Sequence, residues 1–193
     1  MKLTDLQFAP EFTLSAPTVL HRVQRLRARP GGLSFGPLRV PPPGLLLSRF
    51  DLPDAAVGYF AETPETAIYE ALARREALEL SVGLLRKRAI LALATTDELR
   101  LLDLRPHAPA WPVLQSMRYQ VTQELAMDAH RNGYTGIVYR SAQQFGADCF
   151  AIFGDALRGF RQLSKAPLAK ADADVIHRAA AAAIRGSKIP LMP

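Results

Sequence analysis

The chain is expected to fold as an α+β protein, one domain built on mixed strands with helices flanking them. Three observations carry this. Short apolar runs bounded by Gly and Pro recur along the chain and read as strands. Three longer segments space their apolar residues as helices do. The two kinds of element do not alternate strictly, which argues against a regularly wound parallel sheet.

In chain order, Val19 to Val23 is the first strand, with Arg22 inside it. Pro30 to Gly44 holds Gly31-Gly32 and Pro41-Pro42-Pro43, so it is read as a long ordered loop rather than helix or central strand. A turn and the apolar-aromatic run Val57 to Ala61 follow. Thr63 is a good N-cap, Pro64 suits the first helical position and Glu65 complements the helix dipole. That helix is expected to reach about Leu80. Arg88 to Ala94 and Leu99 to Leu104 read as strands, and Pro106, Pro109 and Pro112 then break the chain, with Trp111 as a packing anchor. Leu114 to Asn132 is a helix stopped by Gly133. Tyr134 to Ser141 is a strand, Gln143 to Gly146 a turn, and Cys149 to Phe153 an apolar strand closed by Gly154. Asp172 to Gly186 is a last helix, capped by Asp172 or Asp174, with an alanine run that allows close packing. The domain is expected to span 1–193, with its core at about 18–157 and a helical extension at 158–193.

Composition narrows the function classes. A chain of 193 residues, 49% hydrophobic and 22% charged, is long enough for a real core and has the balance of a soluble globular protein. Cys149 is the only cysteine, so no disulfide framework or CxxC metal site can form within the chain, which fits a reducing cytoplasm. The N-terminal stretch lacks the long apolar segment of a signal peptide, and no run approaches a membrane span. Net charge is +6 and the pI about 9.8. Arg22, Arg25, Arg27, Arg29 and Arg39 fall between Leu20 and Val40 with no acid among them. Such a patch suits nucleic acid, a phosphorylated small molecule or an acidic partner, and a solvated basic loop is the plainer alternative.

His21, His107, His130 and His177 are scattered, and no P-loop, GxGxxG or GxSxG is present. Cys149, in an apolar strand, reads as an inert core thiol. What remains is a polar set on apolar elements: Arg22, Arg49, Tyr59, Glu70 and Ser141. Arg49, Tyr59 and Glu70 are ten and eleven residues apart. Guanidinium groups suit a diphosphate, a tyrosine offers a stacking face, and a carboxylate can stabilise positive charge developing on a sugar ring. Together they suggest a nucleotide-sugar ligand. A structural ion pair or solvated edge is the alternative for Glu70, which borders the apolar stripe of its helix.

The segments HRV (His21–Val23), SRF (Ser48–Phe50), GYFAETPETAIYE (Gly58–Glu70) and TGIVYRSAQQFGADCFAIF (Thr135–Phe153) together resemble the RES-domain family, the toxins of RES–Xre toxin–antitoxin pairs. The likeness covers most of the chain between about residues 18 and 157. It implies a fold related to ADP-ribosyltransferases and an enzyme that degrades NAD+ by cleaving the nicotinamide–ribose bond. Phosphorolysis to ADP-ribose-1''-phosphate is the leading expectation. NAD+ glycohydrolysis with water and ADP-ribosylation of a macromolecule are the alternatives, and a non-enzymatic basic binding module is the last.

By position, the resemblance implies that Arg22 and Arg49 bind the diphosphate or an incoming phosphate. Tyr59 would line the nicotinamide pocket, Glu70 would steady the ribose and its oxocarbenium-like transition state, and Ser141 would position the ribose or nicotinamide end. NAD+ is then substrate and phosphate a co-substrate, with no metal or resident cofactor. The implied partner is a cognate Xre-type antitoxin, met through the basic loop and the C-terminal helix. Nucleic acid would be contacted only through that complex, and a homodimer stays open. Two positions depart from the family pattern, Asp51 and Asp148, where asparagine is often expected. Arg140, next to Ser141, is expected to point to the opposite face.

Overall fold

The alternation of side chains along the strands splits the interior into two cores, one on each face of a central sheet. The computed structural model describes residues 1–6, 8–170 and 175–193. In order, its strands are β1 (Glu11–Leu14), β2 (Val19–Arg25), β3 (Leu33–Phe35), β4 (Leu38–Val40), β5 (Val57–Ala61), β6 (Leu80–Ser81), β7 (Arg88–Thr95), β8 (Leu99–Asp103), β9 (Gly136–Arg140), β10 (Asp148–Phe153), β11 (Phe160–Pro167) and β12 (Leu191–Met192). The α-helices are α1 (Pro64–Ala71), α2 (Val82–Arg86), α3 (Tyr119–Arg131) and α4 (Arg178–Ser187), with short 3-10 turns between them. Eight strands form one mixed sheet in the order β1-β8-β9-β10-β5-β2-β7-β11. Only β8 and β9 run parallel within it. This is the expected class, α+β with helices flanking a mixed sheet.

On β10, Cys149, Ala151 and Phe153 enter one core while Phe150 and Ile152 enter the other, as a period of two requires. Helices cover the first face with Ala67 and Ile68 of α1, Leu125, Ala126 and Ala129 of α3, and Ala179, Ala180 and Ala183 of α4. The β3–β4 hairpin (Phe35, Leu38, Val40) and Leu157 cover the second. Gly136 sits where β8, β9 and β10 crowd together: a Cβ there would collide with the Ala151 carbonyl.

Several expectations need correction. The stretch from Pro30 to Gly44 is not loop throughout, because Gly36 (φ +55°) and Pro37 turn a two-residue hairpin between β3 and β4. Gln24 holds it to β2: its amide donates to the Pro37 carbonyl and its Oε1 accepts the Arg39 N–H. The helix begun by Thr63 stops at Ala71 rather than near Leu80. Leu80 instead donates its N–H to the Pro190 carbonyl and pairs with Leu191 in a two-strand sheet, so tertiary pairing overrides a helix-forming sequence.

The third helix starts at Tyr119, after a 3-10 turn at Pro112–Gln115, not at Leu114. Gly133 (φ +81°) follows its end as expected. The segment after 157 is not purely helical, for β11 occupies Phe160–Pro167 and pairs with β7 along its length. The last helix starts at Arg178 with His177 as its cap, so residues 175–177 precede it. The expected caps Asp172 and Asp174 lie outside the described residues. Gly186 does not stop α4 but lies inside it, packed so closely on Tyr69 of α1 that a Cβ there would have to displace the Tyr69 hydroxyl. The alanine face of α4 is thus spent on the domain and not offered to a partner.

Candidate active site

A cleft of about 260 Å³ opens between the Pro41–Ser48 loop, β2, β5 and α1. Four of the five expected residues line it: Arg22, Arg49, Tyr59 and Glu70. The fifth, Ser141, is buried behind Glu70.

Glu70 reaches the cleft because α1 starts where it does. The Thr63 hydroxyl accepts the Thr66 N–H at 3.1 Å, and Pro64 needs no donor partner at the first helical position. Two turns on, Glu70 is half-buried at the cleft wall. Its Oε1 accepts the Ser141 hydroxyl at 2.6 Å and the Ala142 N–H at 3.0 Å. Ser141 is fixed in turn, since its oxygen accepts the N–H groups of Gln143 and Gln144. Among the described residues, Glu70 Oε2 accepts no hydrogen bond from the protein. The carboxylate is therefore held by one oxygen.

Arg49 is only 7% exposed. Its backbone carbonyl accepts the Thr122 hydroxyl from α3, and its guanidinium lies 5.8 Å from the centre of the Tyr139 ring. Among the described residues no carboxylate pairs with it, and its buried Nε has no hydrogen-bond partner. A buried cation without a counter-charge is costly unless something negative meets it.

Arg22 is tied more firmly. One terminal nitrogen donates to the Tyr59 carbonyl at 2.7 Å and the other to the Arg39 carbonyl at 3.3 Å, while Nε has no partner. Burial lowers its pKa to about 10. Arg22 therefore braces β5 and the hairpin as well as lining the cleft, with two of its five N–H donors committed.

The Tyr59 hydroxyl accepts the Phe50 N–H at 2.9 Å and donates to Asp51 Oδ1 at 2.8 Å. Burial first, and the Asp51 charge second, push its pKa well up. With its hydroxyl engaged, Tyr59 offers the cleft its ring. Asp51, noted as a departure, is part of this frame: its Oδ2 accepts the N–H groups of Leu47 and Ser48. Asp148, the other departure, lies outside the cleft in an ion cluster, 2.6 Å from Arg105 and 2.5 Å from Arg140. Arg140 is turned away from the cleft by that pairing. Cys149 is buried, and burial followed by the Glu70 charge pushes its thiol pKa well up, which suits an inert core thiol.

Sequence reasoning missed Tyr119, Tyr139, Arg74 and Gln143 in the wall. Tyr139 sits in a strand that reads as scaffold, and Gln143 in a turn. The Arg74 position, four residues after Glu70 on an expected helix, was the one available signal. Among the described residues, no group of three or more His, Cys, Asp and Glu is placed to hold a metal ion, and no helix is long and apolar enough to cross a membrane.

The fold and cleft define a class: a mixed-sheet α+β domain with a buried arginine, unpaired among the described residues, and an anchored carboxylate in one cavity. The RES domain family model matches residues 19–174, and the chain belongs to that family. Among solved structures, the crystal structure of the M. tuberculosis MbcT–MbcA toxin–antitoxin complex is similar, with a TM-score of 0.59 at 14% identity over 81% of this chain and 86% of that one. At that identity the likeness speaks for the fold. None of the curated proteins matches the chain in sequence.

Proposed function

We propose that the protein is a toxin that degrades NAD+ by cleaving the nicotinamide–ribose bond, and that a cognate antitoxin of the Xre type restrains it in the cytoplasm. The observation that carries this reading is the pairing of Arg49 and Glu70 in one cleft. Among the described residues, Arg49 is a cation without a counter-charge, and Glu70 is a carboxylate held by one oxygen. A dinucleotide satisfies both, its diphosphate on the guanidinium and its ribose on the carboxylate. Membership of the RES family and the toxin–antitoxin setting of the similar fold support the toxin role.

In the proposed reaction the C1–N bond of the nicotinamide riboside breaks and its electron pair neutralises the pyridinium. Positive charge then grows on the ribose ring, where Glu70 stabilises it. A phosphate oxygen closes on C1, giving ADP-ribose-1''-phosphate. Arg49, assisted by the donors Arg22 retains, holds the diphosphate and the incoming phosphate. The Tyr59 and Tyr139 rings form the apolar wall against nicotinamide. Orientation and charge placement account for the rate gain.

The test is to incubate purified protein with NAD+, with and without inorganic phosphate, and follow nicotinamide and the ribose product. Phosphate-dependent loss with a phosphorylated ADP-ribose is expected. Phosphate-independent loss to ADP-ribose makes the protein a glycohydrolase, and label appearing on a macromolecule makes it a transferase. NAD+ left intact under all conditions overturns the proposal.

A further inference from the structure

A second cleft, of about 210 Å³, lies against the β3–β4 hairpin and shares Arg22 with the first. Its wall carries six arginines: Arg22, Arg25, Arg27, Arg29, Arg39 and Arg88. Among the described residues, no Asp or Glu lines it, and no aromatic ring does. Among the described residues, none of the six makes an ion pair.

The charges are held together by the fold. Arg25 and Arg88 stand directly opposite each other across β2 and β7, where like charges repel. Arg39 is half-buried on β4 and donates to the Leu26 carbonyl. Arg22 is 9% exposed and its Nε has no partner. Burial, and then the charge of Arg25, lower the pKa of Arg88. Arg25, Arg27 and Arg29 are exposed, Arg39 and Arg88 half-buried and Arg22 buried. The concave wall gathers these six cations with no acid among the described lining residues.

We propose that this cleft, which adjoins the candidate active site and shares Val23, Pro41 and Ala71 with it as well as Arg22, is a second binding site, for a small, multiply charged phosphate anion of the diphosphate or triphosphate kind. Guanidinium forks match phosphate oxygens two at a time, and several around one concavity suit an anion of several charges. Among the described residues no aromatic wall supplies the platform on which a nucleobase would stack, so recognition is of the phosphate groups themselves. The site does not rest on the NAD+ reading. It reaches the first cleft through Arg22, which grips the Tyr59 carbonyl on one side and the Arg39 carbonyl on the other.

The experiment is calorimetric titration of the whole chain with sodium triphosphate at constant physiological ionic strength, alongside melting curves. The proteins compared are wild type, Arg25→Gln, Arg88→Gln and Arg49→Ala. Wild type is expected to bind one triphosphate in this cleft, apart from any taken by the first cleft, and to melt at a higher temperature when saturated. Arg25→Gln and Arg88→Gln should each weaken binding at least tenfold. Without anion both should melt at or above the wild-type temperature, because the repulsion between the two arginines is gone, and that shows they are folded. Arg49→Ala, which alters the first cleft, should keep the binding event that Arg25→Gln and Arg88→Gln weaken. Binding that is absent in wild type, or unchanged in Arg25→Gln and Arg88→Gln, overturns the site. Loss of binding in Arg49→Ala assigns the anion to the first cleft and also overturns it. A single-stranded oligothymidylate binding more tightly than triphosphate, with the same sensitivity to Arg25 and Arg88, overturns it in favour of nucleic acid.

Discussion

The Ser141 hydroxyl donates to Glu70 Oε1 at 2.6 Å, across 71 residues of sequence. The serine was expected to touch the ribose or nicotinamide. Its hydroxyl is bonded to the carboxylate, and the Ala142 N–H beside it supplies the second bond to the same oxygen. Ser141→Ala should lower kcat about tenfold while the NAD+ dissociation constant changes little, since one of two anchoring bonds is lost. Steady-state kinetics with a separate binding measurement check this. A loss confined to binding would return Ser141 to the substrate.

Tyr59 is a structural strut by its hydroxyl. Tyr59→Phe removes the acceptor of the Phe50 N–H and a donor to Asp51. It should cost about 2 kcal/mol of stability and retain most of the activity once folded. Denaturant unfolding and NAD+ turnover measure the two. Abolished turnover in a folded protein would mean the hydroxyl acts in the reaction.

The start of α1 depends on one side chain. Thr63→Ala removes the cap on Thr66 and should cost about 1 kcal/mol, or roughly 2–4 °C in melting temperature for a chain of this size. Because Glu70 is two turns away, kcat should change far less than in Ser141→Ala.

Arg22 gives the site a titration at alkaline pH. Burial disfavours its charged form, so its folded pKa of about 10 lies below the ordinary arginine value. The folded state then binds fewer protons than the unfolded chain between that pH and the ordinary value. Burying the charged guanidinium costs stability below about pH 10, and the cost fades as pH rises through that window. Substrate affinity should move the other way. The Michaelis constant for NAD+ should rise as pH passes about 10, and Arg22→Gln should flatten that limb of the profile. A limb unchanged in Arg22→Gln would contradict the assignment.

Much of the fold was legible where local chemistry decides it. The Thr63-Pro64 start of α1, the Gly133 stop of α3 and the apolar strands β7, β9 and β10 are written in adjacent residues. The helix end at Ala71 was not, and Leu80, which reads as part of that helix, instead pairs with Leu191 from the far end of the chain. Strand β11 was missed because, after Phe160, its residues are mostly exposed and polar. Only its partner β7 reveals it. In the site, Arg49, Tyr59 and Glu70 stood out by residue type on elements that could be placed. The serine behind Glu70, the Asp51 frame around Tyr59 and the aromatic wall at Tyr119 and Tyr139 depend on contacts between distant segments, which spacing does not encode.

The most direct measurement compares wild type with Glu70→Gln for NAD+ turnover and NAD+ binding in matched preparations. The amide keeps the shape and can still accept the Ser141 and Ala142 bonds, but it carries no charge to stabilise the ribose cation. The expected result is at least a hundredfold fall in nicotinamide release with NAD+ affinity within a few-fold of wild type. Turnover that survives in Glu70→Gln, or that falls only in proportion to lost binding, would contradict the central claim that this carboxylate acts on the transition state.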